Sequence, residues 1–202
     1  MAVAVVVVGI LHELLPERSQ VTPPWVYPTL LVVFLVVLIV GDPGRIDRQR
    51  RWLQVTTGLM IALITFVNAV AALLLVGEIL YDGSFETARD LLATGAIIWL
   101  TNVIAFALWS WNTDAGGAAA RAWGRAEGHA WVFPEMTFPE FAPKGWYPTF
   151  PDYLVLSVNT ALAFSPTDVV AVKVWAKIMM VSESLISLVL GALVIARAIN
   201  VL

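Results

Sequence analysis

The stretch VTTGLMIALITFVNAVAALLLVG, residues 55–77, decides the fold class of this chain. Its 23 residues include no charged side chain, and a helix of that length rises about 34 Å. The hydrocarbon core of a lipid bilayer is about 30 Å thick, so a single apolar helix of this length crosses it. The stretch therefore predicts a membrane-spanning helix.

The composition of the whole chain agrees with a place in the lipid bilayer. Of its 202 residues, 59% are hydrophobic and 13% are charged, whereas a soluble domain is about half apolar and about a quarter charged. The net charge of −3 is small and gives no reason to expect nucleic acid as a partner. The chain has no cysteine, which excludes disulfides and thiolate chemistry. His12 and His129 are far apart in sequence, so neither a metal nor another cofactor is expected.

Further apolar segments extend the prediction over residues 1–112 and to the end of the chain. The spans are expected at about 25–41, 54–80, 91–112 and 178–196. Residues 1–16 are apolar but short, and they lack the basic start and the cleavage site of a secretory signal. We expect them to form an uncleaved helix that packs as a hairpin against the next span. The chain is thus predicted to be an all-α integral membrane protein with four or five transmembrane helices.

The C-terminal segment, 153–202, begins with an apolar stretch that is too short to cross a membrane. YLVLSVNTALAF, residues 153–164, has 12 residues and fits a pore-type half-helix that enters the bilayer and returns. Such a re-entrant piece is stable only when it is buried in protein or lines a wet cavity. The alternative is a plain turn of helix at the membrane interface.

Residues 113–152 form the one sizeable predicted loop. The loop starts with DAGGAAARAWGRAEG, which predicts a flexible backbone, and continues with a stretch rich in proline and aromatic residues. Proline prevents a long helix there, and Trp and Tyr favour the level of the lipid headgroups. The loop is predicted to lie on the membrane interface, and a binding surface for a partner is the alternative.

Basic residues predict the orientation of the chain in the lipid bilayer. Arg45, Arg48, Arg50 and Arg51 crowd the loop 42–52, and loops rich in basic residues stay in the cytoplasm. The interpretation is a multi-pass protein of the plasma (inner) membrane, with loop 42–52 cytoplasmic and the long loop on the same side.

The last quarter of the chain contains an ordered set of motifs. They are the apolar helix 153–162, Asp168, the pair Val169–Val170, the triplet Trp175–Ala176–Lys177 and Gly191. This order resembles the pore module of the potassium-channel-like tetrameric ion channels, which consists of a pore helix, a filter T-V-G-Y-G-D, a short linker and a lining helix with a glycine. The resemblance implies a homotetramer around a pore, with monovalent cations as candidate permeant ions.

The resemblance breaks at the filter, because residues 163–167, AFSPT, stand where the family has T-V-G-Y-G. A potassium filter turns rings of backbone carbonyls inward, which glycine permits and proline, with its fixed φ, does not. Any pore here would select by side chains, and a ring of four Asp168 carboxylates would favour cations. The candidate filter residues are Thr160, Phe164, Ser165, Pro166, Thr167 and Asp168.

The same residues also fit the start of a helix. Ser165, Pro166 and Asp168 have the spacing of the N-cap, the first and the third helical residue, close to a capping box. Phe164 and Val169 would then form the hydrophobic staple. Such a cap contributes about 1 kcal/mol, and the two interpretations stay open together.

Polar residues in the last apolar segment complete the candidates. Glu183 lies near its middle, and a carboxyl group in lipid is costly, so it is expected to face a cavity or a partner. Ser184, Ser187 and Gly191 recur at helical spacing and share one face. These four residues are therefore predicted to line the pore.

Each pore-lining candidate also has a structural alternative. Glu183 would form an interhelical hydrogen bond if an asparagine of another span, Asn68 or Asn102, lies beside it. Serine and glycine at helical spacing also suit close packing between helices.

The whole chain is similar to an uncharacterised family of bacterial polytopic membrane proteins, a resemblance that implies no activity. No arrangement of residues typical of an enzyme is present in the sequence. The leading hypothesis is a cation-preferring homotetrameric pore. The alternatives are a non-conducting structural or regulatory membrane protein and a cation- or proton-coupled transporter.

Overall fold

The computed structural model describes residues 1–20, 22–23, 25–41, 51–82, 87–126, 128–162 and 168–201. Helix makes up 78% of the structure, so the predicted helical class is confirmed at that level. The helices are α1 (Ala2–Glu13), α2 (Val26–Gly41), α3 (Arg51–Gly77), α4 (Ala88–Thr113), α5 (Ala118–Ala122), α6 (Pro134–Thr137), α7 (Phe150–Leu162) and α8 (Val174–Val201). Two short strands, β1 (Trp131–Val132) and β2 (Val170–Ala171), pair with each other.

Within the described residues, three helical stretches are long and apolar enough to cross a membrane. They are Trp52–Tyr81, Ala88–Gly116 and Val174–Asn200, with mean hydropathies of 2.7, 2.0 and 2.3 in their most apolar windows. α1 and α2 are apolar too, but their 12 and 16 residues correspond to only about 18 and 24 Å. The chain therefore has the helices of a membrane protein, and the total of four or five crossings stays a prediction.

α1 and α2 form the hairpin that the sequence predicted. The ring of His12 lies 4.3 Å from the ring of Tyr27, and Gly9 lies against Leu31, so the two helices run antiparallel. His12 is buried in this contact. Neither helix alone is long enough to span about 30 Å. The hairpin packs on α3 and α4 through a shared apolar core, which stabilises it.

α4 is the central helix of the bundle and contacts α1, α3, α7 and α8. It begins where the Thr87 side chain caps the backbone N–H of Asp90 at 3.1 Å, an arrangement that satisfies one of the free donors of a first turn. Close to that end, Gly95 permits a near approach of α8. A Cβ atom at Gly95 would lie 2.8 Å from a methyl group of Val194.

The end of α4 and the start of α3 lie at the same end of the bundle. The Gln54 side chain donates a hydrogen bond to the carbonyl oxygen of Gly116 at 3.1 Å. α3 therefore begins at the end of the bundle where Gly116 lies. Residues 42–50 of loop 42–52 lie outside the described part of the chain.

α7 lies between α4 and α8 and runs from the end of the bundle into its middle. Ser157 in α7 donates a hydrogen bond to the carbonyl oxygen of Val103 in α4 at 2.7 Å. β2, which follows residues 163–167 in sequence, pairs with β1: Val170 pairs with Val132 and Ala171 pairs with Trp131.

Two predictions are wrong in this region. Asp168 lies in a bend, and β2 follows it, so α8 begins only at Val174 and Asp168 is not the third residue of a helical cap. The expected flexible start of the long loop instead contains α5 and a buried Arg121. The physical reason is common to both errors. Residues 113–149 fold against β2 and the first turn of α7, and this packing overrides the local sequence preference.

Candidate functional site

The structure brings four of the predicted site residues together. Thr160, Glu183, Ser184 and Ser187 lie where α7 and α8 meet, and Thr160, Glu183 and Ser187 are buried. Gly191 lies apart from them, because a Cβ atom added there would have no neighbour within 4 Å. Asp168 is exposed, and residues 163–167 separate it in sequence from the end of α7. The other filter candidates, Phe164, Ser165, Pro166 and Thr167, lie outside the described residues.

Glu183 is the buried centre of the polar cluster inside the bundle. Its side chain is 4% exposed, and the hydroxyl group of Ser157 forms a hydrogen bond with its carboxyl group. The partner is therefore a serine on α7, and not Asn68 or Asn102 as the sequence suggested. A carboxyl group at this depth needs such a partner, since burial without one is costly.

The two contacts of Ser157 constrain the hydrogen atoms in the cluster. A serine hydroxyl group has one hydrogen to donate and can accept two hydrogen bonds. The oxygen of Ser157 lies near both the Val103 carbonyl oxygen and the Glu183 carboxyl group. The two contacts are both hydrogen bonds if the Ser157 hydroxyl group donates its hydrogen to the carbonyl oxygen of Val103. A neutral Glu183 carboxyl group then donates its own hydrogen to the oxygen of Ser157.

Further hydrogen bonds tie the three helices together around Glu183. Asn102 of α4 donates to the hydroxyl oxygen of Ser187 at 3.3 Å. Ser184 of α8 donates to the carbonyl oxygen of Thr160 in α7 at 3.0 Å. Asn102 therefore bonds across helices to Ser187 and not to Glu183. These bonds fix the depth and rotation of α7 between its neighbours.

The cluster faces the interior of a single chain. The outward face of α8 is apolar and includes the exposed residues Ile178, Val181, Leu185, Leu188 and Val189. Glu183 and Ser187 point away from that face, towards α4 and α7. Their role as pore-lining residues stays a prediction, and in the structure they connect helices within the chain.

A second polar cluster, the Asp114 cluster, lies at the end of the bundle. The side chain of Asp114 is fully buried and accepts hydrogen bonds from the hydroxyl group of Tyr153 and the backbone N–H of Ala130, both at 2.6 Å. The Nδ1 atom of His129 lies 3.0 Å from the same carboxylate. One carboxylate thus connects the end of α4, the residue before β1 and the first turn of α7.

Arg121 completes the Asp114 cluster. Its guanidinium group is buried, donates to the carbonyl oxygens of Asp114 at 2.6 Å and Trp111 at 2.7 Å, and lies 4.9 Å from the centre of the Tyr153 ring. Burial lowers the pKa of Arg121, while Tyr153 and Asp114 oppose that change, and a guanidinium group stays charged in proteins. Burial raises the pKa of Tyr153 far above its usual range, so the phenol keeps the hydrogen that it donates to Asp114.

An aromatic core surrounds the Asp114 cluster. Trp131 is fully buried and packs edge-on against Tyr153 at 6.2 Å and against Trp175, at the start of α8, at 5.0 Å. Phe133 packs edge-on against Tyr153 at 5.2 Å and against Trp146 at 6.1 Å. Such pairs add stability beyond the apolar area that they bury. Trp131, Phe133 and Trp146 of the loop thus form a core with Tyr153 of α7 and Ala176 of α8.

The Asp114 cluster is not recognisable in the sequence. The density of Trp, Phe and Tyr in the loop predicts a place at the membrane interface, but it suits a small packed core equally well. Asp114 itself gives no local signal, because it stands beside two glycines in a stretch typical of flexible chain. Comparison of the chain with protein-family models, with curated proteins and with solved structures gives no match in any of the three.

Proposed function

We propose that the chain is one subunit of a homotetrameric, cation-preferring pore in which residues 153–168 form the constriction. The observation that supports this proposal is the course of the chain around α7. The helix enters the bundle beside the Asp114 cluster, and β2 lies back at that same end, paired with β1. A non-spanning segment is stable in a bilayer when it is buried in this way against its own protein.

The depth reached by α7 also favours a re-entrant half-helix. Ten residues separate Val103, the partner of Ser157, from the end of α4 at Thr113. They correspond to about 15 Å along a helix, which is half of a ~30 Å hydrocarbon core. The end of α7 at Leu162 would therefore place the following segment near the middle of the membrane.

Oligomer formation is part of the proposal, because a tetrameric pore is enclosed by four copies of the chain, and closed homo-oligomers are common. In the most apolar window of α8, 22% of the residues are buried within the chain, against 61% in α4. α8 therefore offers a large apolar surface to lipid and to further copies. The exposed Asp168 of each copy would contribute to a ring of carboxylates, which favours cations.

We further propose that loop 42–52 and the long loop lie on the cytoplasmic side of the plasma membrane. The bond between Gln54 and Gly116 places the start of α3 and residues 113–149 at one end of the bundle. The arginines of loop 42–52 assign that end to the cytoplasm. The constriction would then be entered from the cytoplasmic side.

Cation flux into liposomes tests the pore. Purified protein is reconstituted as wild type, as Asp168→Asn and as Glu140→Gln, which removes an exposed carboxylate of the long loop. We expect flux of potassium and sodium in the wild type. Asp168→Asn should lower the flux several-fold or change the ratio of the two ions, because a ring of like charges concentrates counter-ions. Glu140→Gln should behave as the wild type.

A second candidate function is a non-conducting structural or regulatory membrane protein. The observation that favours it is the burial of Glu183, which is 4% exposed and is hydrogen-bonded to Ser157 between packed helices. Half-helix α7 would then serve as a packing element. Absence of flux from folded tetramers across a range of pH and voltage would reject the pore and leave this function. Equal flux in wild type and Asp168→Asn would reject the proposed selectivity.

A further inference from the structure

A cleft of about 350 Å³ lies between residues 121–129 and the proline-rich segment 135–148. Among the described residues, its charged and imidazole side chains are Arg121, His129, Glu135 and Lys144, and its aromatic lining includes Trp146 and Tyr147. A volume of this size, with few polar groups set among aromatic and proline side chains, is typical of small-molecule sites. The cleft opens beside the ends of the membrane helices, on the side of the Asp114 cluster.

The walls of the cleft are held in place before any ligand binds. The backbone N–H of Trp146 donates to the carbonyl oxygen of Pro143 at 3.0 Å, and Gly145 between them has a φ of 74°, which glycine adopts without strain. The ring of Trp146 is fixed edge-on against Phe133. A preformed site binds more tightly because less conformational freedom is lost on binding.

The Asp114 cluster directs His129 towards the cleft. The buried carboxylate of Asp114 holds Nδ1 at 3.0 Å, so the other ring nitrogen, Nε2, is left for a ligand. The side chain of His129 is 27% exposed, which permits contact from the cleft. A carboxylate that fixes one nitrogen of a histidine orients the ring for binding at the other.

The lining carries charges of both signs. Arg121 and Lys144 are cationic, while Glu135 is anionic. A purely anionic ligand would meet Glu135, and a purely cationic one would meet Arg121 and Lys144. Trp146 and Tyr147 add aromatic faces, which attract ammonium groups. The lining is therefore complementary to a ligand that carries both charges.

We propose that this cleft binds a small zwitterion with an ammonium group and a phosphate group, of the phosphoethanolamine type. Lys144 takes the phosphate, with the positive charge of Arg121 behind it. Because Nδ1–H of His129 is donated to Asp114, Nε2 is an acceptor, and it takes the ammonium group together with Glu135 and the aromatic rings. The ligand comes either from the headgroup of a membrane lipid or from a free molecule. This site is independent of whether the chain conducts ions.

Histidine NMR provides the test, because the chain has two histidines and the buried His12 of α1 serves as an internal control. The full-length protein with labelled histidine is titrated in detergent with phosphoethanolamine, with ethyl phosphate and with ethanolamine. Nanodiscs with phosphatidylethanolamine or phosphatidylglycerol form the lipid arm. We expect a shift of the His129 signals, with those of His12 unchanged, that saturates with phosphoethanolamine or appears in phosphatidylethanolamine nanodiscs. The arm in which the shift appears identifies the source.

Two variants and a control test the assignment of the charges. Glu135→Gln should weaken binding of phosphoethanolamine by roughly fivefold, the scale of a partly exposed ion pair, and leave binding of ethyl phosphate unchanged. Lys144→Gln should weaken both, while Glu140→Gln should change neither. The proposal is overturned if neither source shifts His129. Equal affinity for ethyl phosphate and phosphoethanolamine, or an equal effect of Glu140→Gln and Glu135→Gln, would also overturn it.

Discussion

Two buried carboxyl groups in this molecule have different surroundings. Asp114, at the end of the bundle, is near the charged Arg121 and the ionisable His129, and it accepts from Tyr153 and a backbone N–H. Glu183, in the middle of α8, has a serine hydroxyl group as its partner and no basic side chain within salt-bridge distance among the described residues. Both carboxyl groups are at most 4% exposed.

The difference follows from depth in the proposed membrane. At the end of the bundle, Asp114 and Arg121 can be buried together because their charges compensate each other. In the middle of a span, a charge without a counter-charge is too costly, so neutral hydrogen-bond donors and acceptors prevail.

The two clusters also share one task. Asp114 holds the first turn of α7 through Tyr153, and Glu183 holds its middle through Ser157.

Asp114→Ala should have the largest effect on stability, because it leaves several buried donors without an acceptor. Each buried donor without a partner costs about 1–3 kcal/mol, so the loss of the acceptor for Tyr153 and Ala130 should lower the free energy of unfolding by about 3 kcal/mol or more. Thermal unfolding of the detergent-solubilised protein measures the change. Limited proteolysis between residues 113 and 149 should become faster at the same time.

Asp114→Asn keeps one acceptor and should fall between the wild type and Asp114→Ala. Glu140→Gln, on the exposed part of the same loop, should leave the unfolding temperature unchanged. If Asp114→Ala left both unfolding and proteolysis as in the wild type, the Asp114 cluster would not be what holds the loop on α7.

Ser157→Ala should have the next largest effect, because it removes the hydrogen-bond partner of Glu183. A buried polar group left without a partner costs about 1–3 kcal/mol, and the unfolding temperature should fall accordingly. Replacing both partners, as Ser157→Ala with Glu183→Leu, should recover most of the loss, since an apolar pair has no unmet hydrogen bond.

Glu183→Gln provides the matched control for that pair. An amide can donate to the oxygen of Ser157 as a neutral carboxyl group does, so this variant should unfold within a few degrees of the wild type. A large loss of stability in Glu183→Gln, with no recovery in the double variant, would mean that Glu183 carries a charge paired with a group other than Ser157.

The bundle could be predicted from the sequence to the extent that length and composition determine it. The stretch around residues 55–77 and the next span are recognisable without any tertiary information, because a helix that crosses lipid must be apolar over its whole length. Glu183 was identified as a site residue for the same reason, since a carboxyl group in such a stretch is rare. Its partner was not identified, because the rotation and depth of α7 decide which residue it meets.

The Asp114 cluster could not be predicted, because it depends on contacts between residues distant in sequence. Tyr153 lies 39 positions from Asp114, and hydrophobic periodicity contains no information on such a pairing. The helix-cap position predicted for Asp168 is wrong for a related reason. The spacing of Ser165 and Asp168 suits a helix cap, but the pairing of β2 with β1 extends the backbone after Asp168 and delays the start of α8.

Gly95→Ala, at an apolar contact between α4 and α8, should have the smallest effect. It tests whether this apolar contact or the polar cluster around Glu183 holds the two helices together. A Cβ atom at Gly95 would lie 2.8 and 2.9 Å from the two methyl groups of Val194, a β-branched side chain that has little freedom to move. Overpacking of this kind costs about 1–3 kcal/mol, and the better helix propensity of alanine offsets roughly 0.5–1 kcal/mol of it. Gly95→Ala should therefore destabilise the protein by about 1 kcal/mol in thermal unfolding.

Gly58 of α3 provides the matched control for Gly95, because a Cβ atom there would have no neighbour within 4 Å. Gly58→Ala should raise stability by up to about 1 kcal/mol, since only the propensity of alanine acts. Adding Val194→Ala to Gly95→Ala should remove the clash. If Gly95→Ala were as stabilising as Gly58→Ala, α4 and α8 would have room to separate at this end. The hydrogen bonds from Asn102 and Ser157 would then be what keeps α8 in place, because a contact that yields to one methyl group cannot fix the position of a helix.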